Sequence, residues 1–305
     1  MGNIIQVNNL SKSFGKTKAV DSISFEVKKG ELFGFLGVNG AGKSTTINML
    51  CTLMKKSSGN AKVCGFNIGD DNEHIRKKIG VVFQNNTLDD LLTVKENLIS
   101  RAYLYEDDSK IIKKNLNNVC EILQIGNLLN KQFKDLSGGQ KRNCDIARAL
   151  MHTPEILFLD EPTTGLDPKT RKNLWNSIEY LQKESDMTVF LTTHYMEEAA
   201  KANNISIMDS GKIVAQGTPF ELKEEYAGDL LKVESLDNVS MEKIIKTSKL
   251  DCERESNRLI IKIKNSIDSI DLLNEIKQYI KSFEVVQGTM EDAFLNITGK
   301  SLKED

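Results

Sequence analysis

The chain has 305 residues, 39% of them hydrophobic, with 41 basic against 43 acidic side chains, a net charge of −2 and a pI of about 6.1. This length suits two domains with ample core, and the apolar content excludes wholesale disorder. The balanced charge supplies no basic field for nucleic acid, and no apolar run nears the ~18 residues that a membrane helix needs.

The polar start MGNIIQVNNLSKSFGK lacks the apolar core of a signal peptide. A cytosolic, non-spanning chain is expected. A myristoylation reading of the opening Met-Gly fails, because position six is Gln6 where Ser or Thr is wanted. Five cysteines form no C-x-x-C pair and are odd in number, so they read as reduced core thiols, with neither zinc site nor disulfide framework.

In chain order, alternation predicts strands over Ile4 to Val7 and Ser24 to Val27, then a buried strand over Leu32 to Leu36. A helix is expected from the glycine-rich loop that follows to about Met54, putting Cys51 on one face with Ile47 and Met54. A second buried run, Ile79 to Phe83, ends at Gln84. From there to about Leu150, apolar residues such as Leu91, Leu92, Leu98, Ile112, Leu116 and Val119 recur at three and four residue spacings, which predicts an inserted helical subdomain. Strands over Ile156 to Leu159 and Thr188 to Thr192 flank a helix around Arg171 to Leu181, the rhythm of a crossover-connected parallel sheet. Strands Ile205 to Met208 and Lys212 to Ala215 flank the turn Asp209-Ser210-Gly211.

Beyond Pro219 the pattern changes. Strands are expected over Leu230 to Glu234, Leu259 to Lys264 and Phe283 to Val286, and a short helix over Met241 to Thr247. A second helix is expected to be capped by Ser266, with the stripe Ile267, Ile270, Leu273 and Ile276. That order suggests a small α/β unit of ferredoxin-like type, followed by a fraying end from Lys300 to Asp305.

The chemistry starts at GVNGAGKST, which comprises Gly37, Val38, Asn39, Gly40, Ala41, Gly42, Lys43, Ser44 and Thr45. This G-x-x-x-x-G-K-[ST] pattern lies between a strand and a helix, where backbone N–H groups can converge on phosphate oxygens. Lys43 reaches the β/γ oxygens as a point charge, and the Ser44 hydroxyl suits a magnesium ion bridging the same phosphates. In ILFLDEP, Asp160 and Glu161 end a buried strand at the sheet edge where ligands collect. Asp160 suits the magnesium, while Glu161 suits the polarisation of an attacking water, against the plainer alternative that either acid caps the next turn.

Gln84 and His194 also follow strands, where an amide can reach metal or water and an imidazole can donate to the γ-phosphate. Each alone reads equally as a surface residue. LSGGQ forms a second anion site, with Ser137 as N-cap, Gly138 and Gly139 leaving N–H groups bare, and a helix from Gln140 to Leu150.

The ordered set GVNGAGKST, Gln84, LSGGQ, ILFLDEP, GLDP and His194 resembles the ATPase subunit of an ABC transporter over residues 1 to about 218. PTTGLDPKTR, TTHYMEEA and the tail GTMEDAFLNITG are similar to the daunorubicin-resistance type of exporter ATPases, whose permease is a separate chain. The resemblance implies an α/β P-loop NTPase fold of the ABC ATPase type. Its parts would be a mostly parallel core sheet, an antiparallel β part, an inserted α-helical subdomain at about 85–150 and a small α/β C-terminal domain over 219–305. It also implies a head-to-tail homodimer sandwiching two ATP with Mg2+, in which Ser137 and Gly139 face the γ-phosphate on the partner's Lys43.

By the same resemblance Glu161 is the catalytic carboxylate, His194 the switch residue and Asp167 the loop residue linking the two sites. Phe14 stands where an aromatic residue stacks on adenine. The expected location is the inner face of the cell membrane, through the permease, with Leu88, Leu91 and Leu92 exposed to receive it. One rival is a soluble ABC-type ATPase acting on nucleic acid or ribosomes. The other is a regulatory module that binds ATP without turnover.

Overall fold

The computed structural model describes residues 2–248, 251–256 and 258–299. The chain divides into two compact units, one running to Gln216 and one starting at Gly217. Among the described residues no helix is long and apolar enough to cross a membrane.

The first unit opens with two twelve-residue strands, β1 (Asn3–Phe14) and β2 (Thr17–Lys28), paired antiparallel around a turn at Gly15. They extend well past the stretches expected from alternation. Asn9 and Ser22 take left-handed φ values of 49° and 54°, and the pairing register shifts between Val7 and Leu10. Such bulges break the period of two on which the sequence signal depends. Next come β3 (Leu32–Leu36) and α1 (Lys43–Leu50), then β4 (Ser58–Val63), β5 (Phe66–Asn67), α2 (Asn72–Lys78) and β6 (Ile79–Val82). Helix α1 stops at Leu50 and not near Met54. The N–H groups of Leu53 and Met54 both turn back to the Asn48 carbonyl, closing the helix end. Cys51 is the C-cap and is buried, but Met54 lies beyond the helix.

The helical region contains α3 (Val94–Ala102), α4 (Ser109–Leu123) and α5 (Gly138–Leu150). Leu91 and Leu92 precede α3 and are not helical. Leu91 is 72% exposed, whereas Leu92 is half-buried and Leu88 is buried, so only Leu91 of the three is presented to solvent as expected. Strand β7 (Ile156–Asp160), α6 (Pro168–Glu184), β8 (Thr188–Thr193), α7 (Met196–Ala199), β9 (Asn204–Asp209) and β10 (Lys212–Gly217) complete the unit.

The six-stranded sheet has the order β10-β9-β3-β8-β7-β6, and β9-β3-β8-β7-β6 are mutually parallel. The β2-β1-β4-β5 sheet is antiparallel. Phe25, Phe33, Phe35, Phe158 and Phe190 interlock between them, with Phe190 lying 5.3 to 6.0 Å from the other four ring centroids. Burying each such ring stabilises the fold by roughly 2 kcal/mol. Burial also pushes the Cys64 and Cys144 thiols up to about 12, in keeping with unreactive reduced cysteines.

The second unit starts with α8 (Pro219–Tyr226), capped reciprocally by Thr218 and Glu221, a helix not among the expected elements. It continues with β11 (Asp229–Ser235), α9 (Asn238–Ser248), β12 (Cys252–Glu255), β13 (Arg258–Ile263), α10 (Asp268–Ile276), β14 (Ile280–Val286) and α11 (Met290–Thr298). Its antiparallel sheet has the order β12-β13-β11-β14. Leu231, Val233, Leu259 and Ile261 pack beneath Met241, Ile244, Leu272 and Ile276. The expected α10 stripe holds in its second half, where Ile276 is buried and Leu273 packs against the core, and fails in its first, where Ser269 and Leu272 are inward while Ile267 and Ile270 are exposed. Asn265, not Ser266, supplies the side chain at the helix start, accepting from the Asp268 N–H at 3.0 Å. Lys300 to Asp305, expected to fray, lie outside the described residues.

Candidate functional site

The parallel sheet delivers its motifs to one edge. The glycine-rich loop leaves β3, His194 follows β8, Asp160 and Glu161 close β7, and Gln84 follows β6; those strands stand side by side in that order. The register Leu36↔Thr193 and Asp160↔Thr192 brings the first three together.

Gly42, at φ 107°, is the N-cap of α1, and a Cβ there would sit 2.4 Å from the Ala19 carbonyl oxygen, so only glycine fits. Helix α1 has no side-chain cap and no acidic residue in its first turn. Its first N–H groups are therefore left to a ligand, and the helix end favours an anion. Lys43 is 4% exposed; its Nζ donates to the carbonyls of Gly37 (2.7 Å) and Val38 (3.3 Å) and stands 3.5 Å from Glu161 Oε1. Burial pulls its pKa below the ordinary lysine range, against the opposing pull of Glu161. A buried ammonium resting on carbonyls beside an uncapped helix end fits a polyphosphate substrate.

Ser44 Oγ donates to Asp160 Oδ1 at 3.2 Å, and the same oxygen accepts from Thr192 Oγ1 at 2.5 Å. A hydroxyl beside a single carboxylate is a hard oxygen donor set. Among the described residues no three His, Cys, Asp or Glu gather into an all-protein metal cage. The Ser44 and Asp160 oxygens fit magnesium, which takes one or two carboxylates and completes its shell from substrate phosphates and water. Gln84 stands exposed beyond β6, and no hydrogen bond joins it to Ser44 or Asp160.

Glu161 has a left-handed φ of 46°, and its N–H donates to Thr192 Oγ1 at 3.1 Å. A non-glycine residue in this region stores strain of order 1 kcal/mol. His194 Nδ1 lies 3.4 Å from Glu161 Oε2 without forming a hydrogen bond, so that buried nitrogen lacks a hydrogen-bond partner.

The side chains of Ser137 and Gln140 in LSGGQ bond to each other's backbone and not to this group. Ser137 caps α5 through a reciprocal box with Gln140, and the helix begins at Gly138, two residues before the expected start. Gly138 faces open space, whereas a Cβ on Gly139 would collide with the Thr170 methyl at 2.1 Å. Asp167 caps α6 by accepting from the Lys169 and Thr170 N–H groups, each at 3.1 Å. The Thr170 hydroxyl, foremost among its donors, holds the Asp167 carboxyl below the usual range. Phe14 is half-exposed at the end of β1, with the Lys12 ammonium 5.0 Å from its ring centroid. Val38, Asn39, Gly40, Ala41 and Thr45 form the remainder of the phosphate loop and the first turn of α1.

Sequence reasoning missed Arg142. It is 5% exposed and its guanidinium donates to the carbonyls of Phe83, Pro162 (2.7 Å), Asp160 (3.0 Å) and Glu161 (3.1 Å). One cation thus binds the backbone at the ends of both β6 and β7. The signal was present: Arg142 shares a helical face with buried Ile146, Ala149 and Leu150 at spacings of four, seven and eight.

Residues 20–164 match the family described as ABC transporter, and residues 217–298 match the family described as ATP-binding protein DrrA1-3-like, C-terminal domain. The linearmycin resistance ATP-binding protein LnrL of Bacillus subtilis (strain 168) is 35% identical, the alignment covering 99% of this chain and 100% of that protein. The daunorubicin/doxorubicin resistance ATP-binding protein DrrA of Streptomyces peucetius is 32% identical over 97% of this chain and 92% of its own. A dimeric structure of a post-hydrolysis state of the ATP-binding cassette MJ0796, bound to ADP and Pi, superposes with a TM-score of 0.64 at 27% identity. That superposition covers 70% of this chain and 98% of the other. Related along nearly its whole length to two such proteins, this chain belongs to the ABC transporter family, among its ATP-binding, ATP-hydrolysing subunits.

Proposed function

We propose that two copies of this chain close head to tail around two ATP and drive a separate membrane-embedded permease, holding the pair at the inner face of the membrane. Export is the favoured direction, because the two relatives aligned along nearly the whole chain are named for linearmycin resistance and for daunorubicin/doxorubicin resistance. The same relatives favour transport over action on nucleic acid or ribosomes. The dimeric ADP-bound cassette supports the paired arrangement. We read residues 1–218 as the nucleotide-binding domain, with its helical subdomain at about 85–150, and 219–305 as an accessory domain of ferredoxin-like type.

The observation that carries the residue assignment is the juxtaposition of Lys43, Glu161 and His194, with contacts of 3.5 and 3.4 Å. The first-turn N–H groups of α1 and Lys43 hold the phosphates, and Phe14 stacks on the base. Phosphate oxygens then replace Glu161 as the counter-charge of Lys43. So released, the Glu161 carboxylate accepts a proton from the water that attacks the γ-phosphorus. His194 orients that carboxylate and donates to the γ-phosphate. Ser44, Asp160 and Gln84 would hold magnesium, which supplies neutralisation of phosphate charge when bound. Ser137, Gly138, Gly139 and Gln140 face the partner's nucleotide, and Asp167 joins the two sites.

Glu161→Gln is expected to retain ATP binding, lower turnover by roughly a thousandfold or more, and accumulate an ATP-dependent dimer on size-exclusion chromatography. Turnover at the parent rate would remove Glu161 from this role.

A further inference from the structure

Behind Glu161 and His194 lies a second carboxylate, Glu198. It sits on the single turn α7 and is 2% exposed. Three neutral donors converge on it. Oε1 accepts from the Thr163 hydroxyl and from Trp175 Nε1–H at 3.2 Å, and Oε2 accepts from the Thr193 hydroxyl at 2.6 Å. Among the described residues Glu198 forms no ion pair. Burying a carboxylate without a cation is costly, and hydrogen bonds alone offset that cost here.

The donors are not scattered. Thr163 is two residues after Glu161, and Thr193 immediately precedes His194. Thr193 Oγ1 also accepts the Tyr195 N–H at 2.9 Å, so bonds to this one hydroxyl bracket His194 along the backbone. On the other side, the Arg171 guanidinium lies 4.4 Å from the Tyr195 ring centroid, and that ring is 4.2 Å from the His194 ring.

We propose that Glu198 is a positioning residue for hydrolysis: its carboxylate ties the loop after β7 to the end of β8, and thereby fixes the separation of the Glu161 carboxylate and the His194 imidazole. The proposal rests on the roles given to Glu161 and His194 above. A carboxylate can accept at both oxygens. A glutamine can accept at only one, and Trp175, which only donates, constrains that one to the Oε1 side. The Thr193 hydroxyl then loses its charged acceptor and can only accept, at its remaining lone pair, a weaker neutral bond from the amide N–H, so the tether beside His194 weakens.

Steady-state phosphate release by the full chain tests this. Glu198→Gln should lower kcat by about tenfold or more while KM and affinity for a fluorescent ATP analogue stay within threefold. Trp175→Phe removes a donor to the same carboxylate without touching either loop end, and should keep kcat within threefold. Unchanged kcat in folded Glu198→Gln overturns the proposal. So does an equal fall in Trp175→Phe, which would mark the cluster as packing alone. If Glu198→Gln does not fold, Thr193→Val, which severs the Oε2 link, decides instead: a loss in kcat at constant KM supports the tether, and an unchanged kcat overturns it. Glu161→Gln assayed alongside separates the two levels, because parent-like turnover there sinks the site reading and not merely the tether.

Discussion

Helices α1 and α5 both start at glycine-bordered motifs, yet α1 begins bare while α5 begins sealed. No side chain caps α1, and the lysine of its first turn is buried against the loop carbonyls and Glu161. At α5 the Ser137 hydroxyl accepts from the Gln140 N–H at 3.4 Å, and the Gln140 side chain accepts from the Ser137 N–H at 3.0 Å. The same reciprocal box closes α3, α8 and α11. A helix end with unsatisfied donors needs a ligand, whereas one with a box is already satisfied. On the proposed reading, α1 takes an anion within a single protomer, and α5 is recruited by one brought to it.

Lys43→Ala breaks this contrast at its stronger end. It removes a buried cation and leaves Glu161 without its counter-charge. Affinity for ATP should fall about 100-fold, the size expected when charge-assisted contacts to phosphate are lost. Titration with a fluorescent analogue measures it, and a change under threefold would mean that the helix end alone holds the phosphates. Ser137→Ala acts at the sealed end. Loss of the cap should lower stability by about 1 kcal/mol in denaturant titrations. One protomer should bind ATP within twofold of the parent, while the ATP-dependent dimer formed in the Glu161→Gln background weakens about tenfold, equivalent to 1.4 kcal/mol. If single-protomer affinity fell as steeply, the two ends would serve one nucleotide within one chain.

The parallel sheet was legible because β3, β7 and β8 are buried throughout, and their short apolar runs lead to Gly37, to Asp160 and, past Thr192 and Thr193, to His194. The phosphate loop was legible for a local reason, since its chemistry is confined to nine consecutive residues. Strands β1 and β2 were half hidden because bulges at Asn9 and Ser22 reset the alternation. Only half of the α10 stripe was legible: Leu273 and Ile276 pack inward, but Ser269 takes an inward place while Ile267 and Ile270 are exposed. Arg142 and Glu198 were missed at the site itself. Both act by gathering groups from distant segments, and nothing in the string distinguishes Glu198 from Glu197 beside it. Spacing marks Arg142 as inward-facing on α5, but what it and Glu198 bind is written in topology.

Gln140→Ala is the finest cut. It removes the acceptor for the Ser137 N–H but leaves the bond from the residue 140 N–H to the Ser137 hydroxyl, so the end of α5 becomes half open. Stability should fall by a few tenths of a kcal/mol, since a solvent-exposed N–H regains water. The ATP-dependent dimer should change by less than threefold, measured by light scattering in the Glu161→Gln background. A dimer strengthened beyond that would mean the box competes with the partner's phosphate and holds α5 shut until closure. A tenfold weakening would mean that the Gln140 side-chain amide, and not only the backbone N–H groups of this helix end, carries the contact to the partner's nucleotide, and the sealed end would then differ from α1 only by which protomer brings the phosphate.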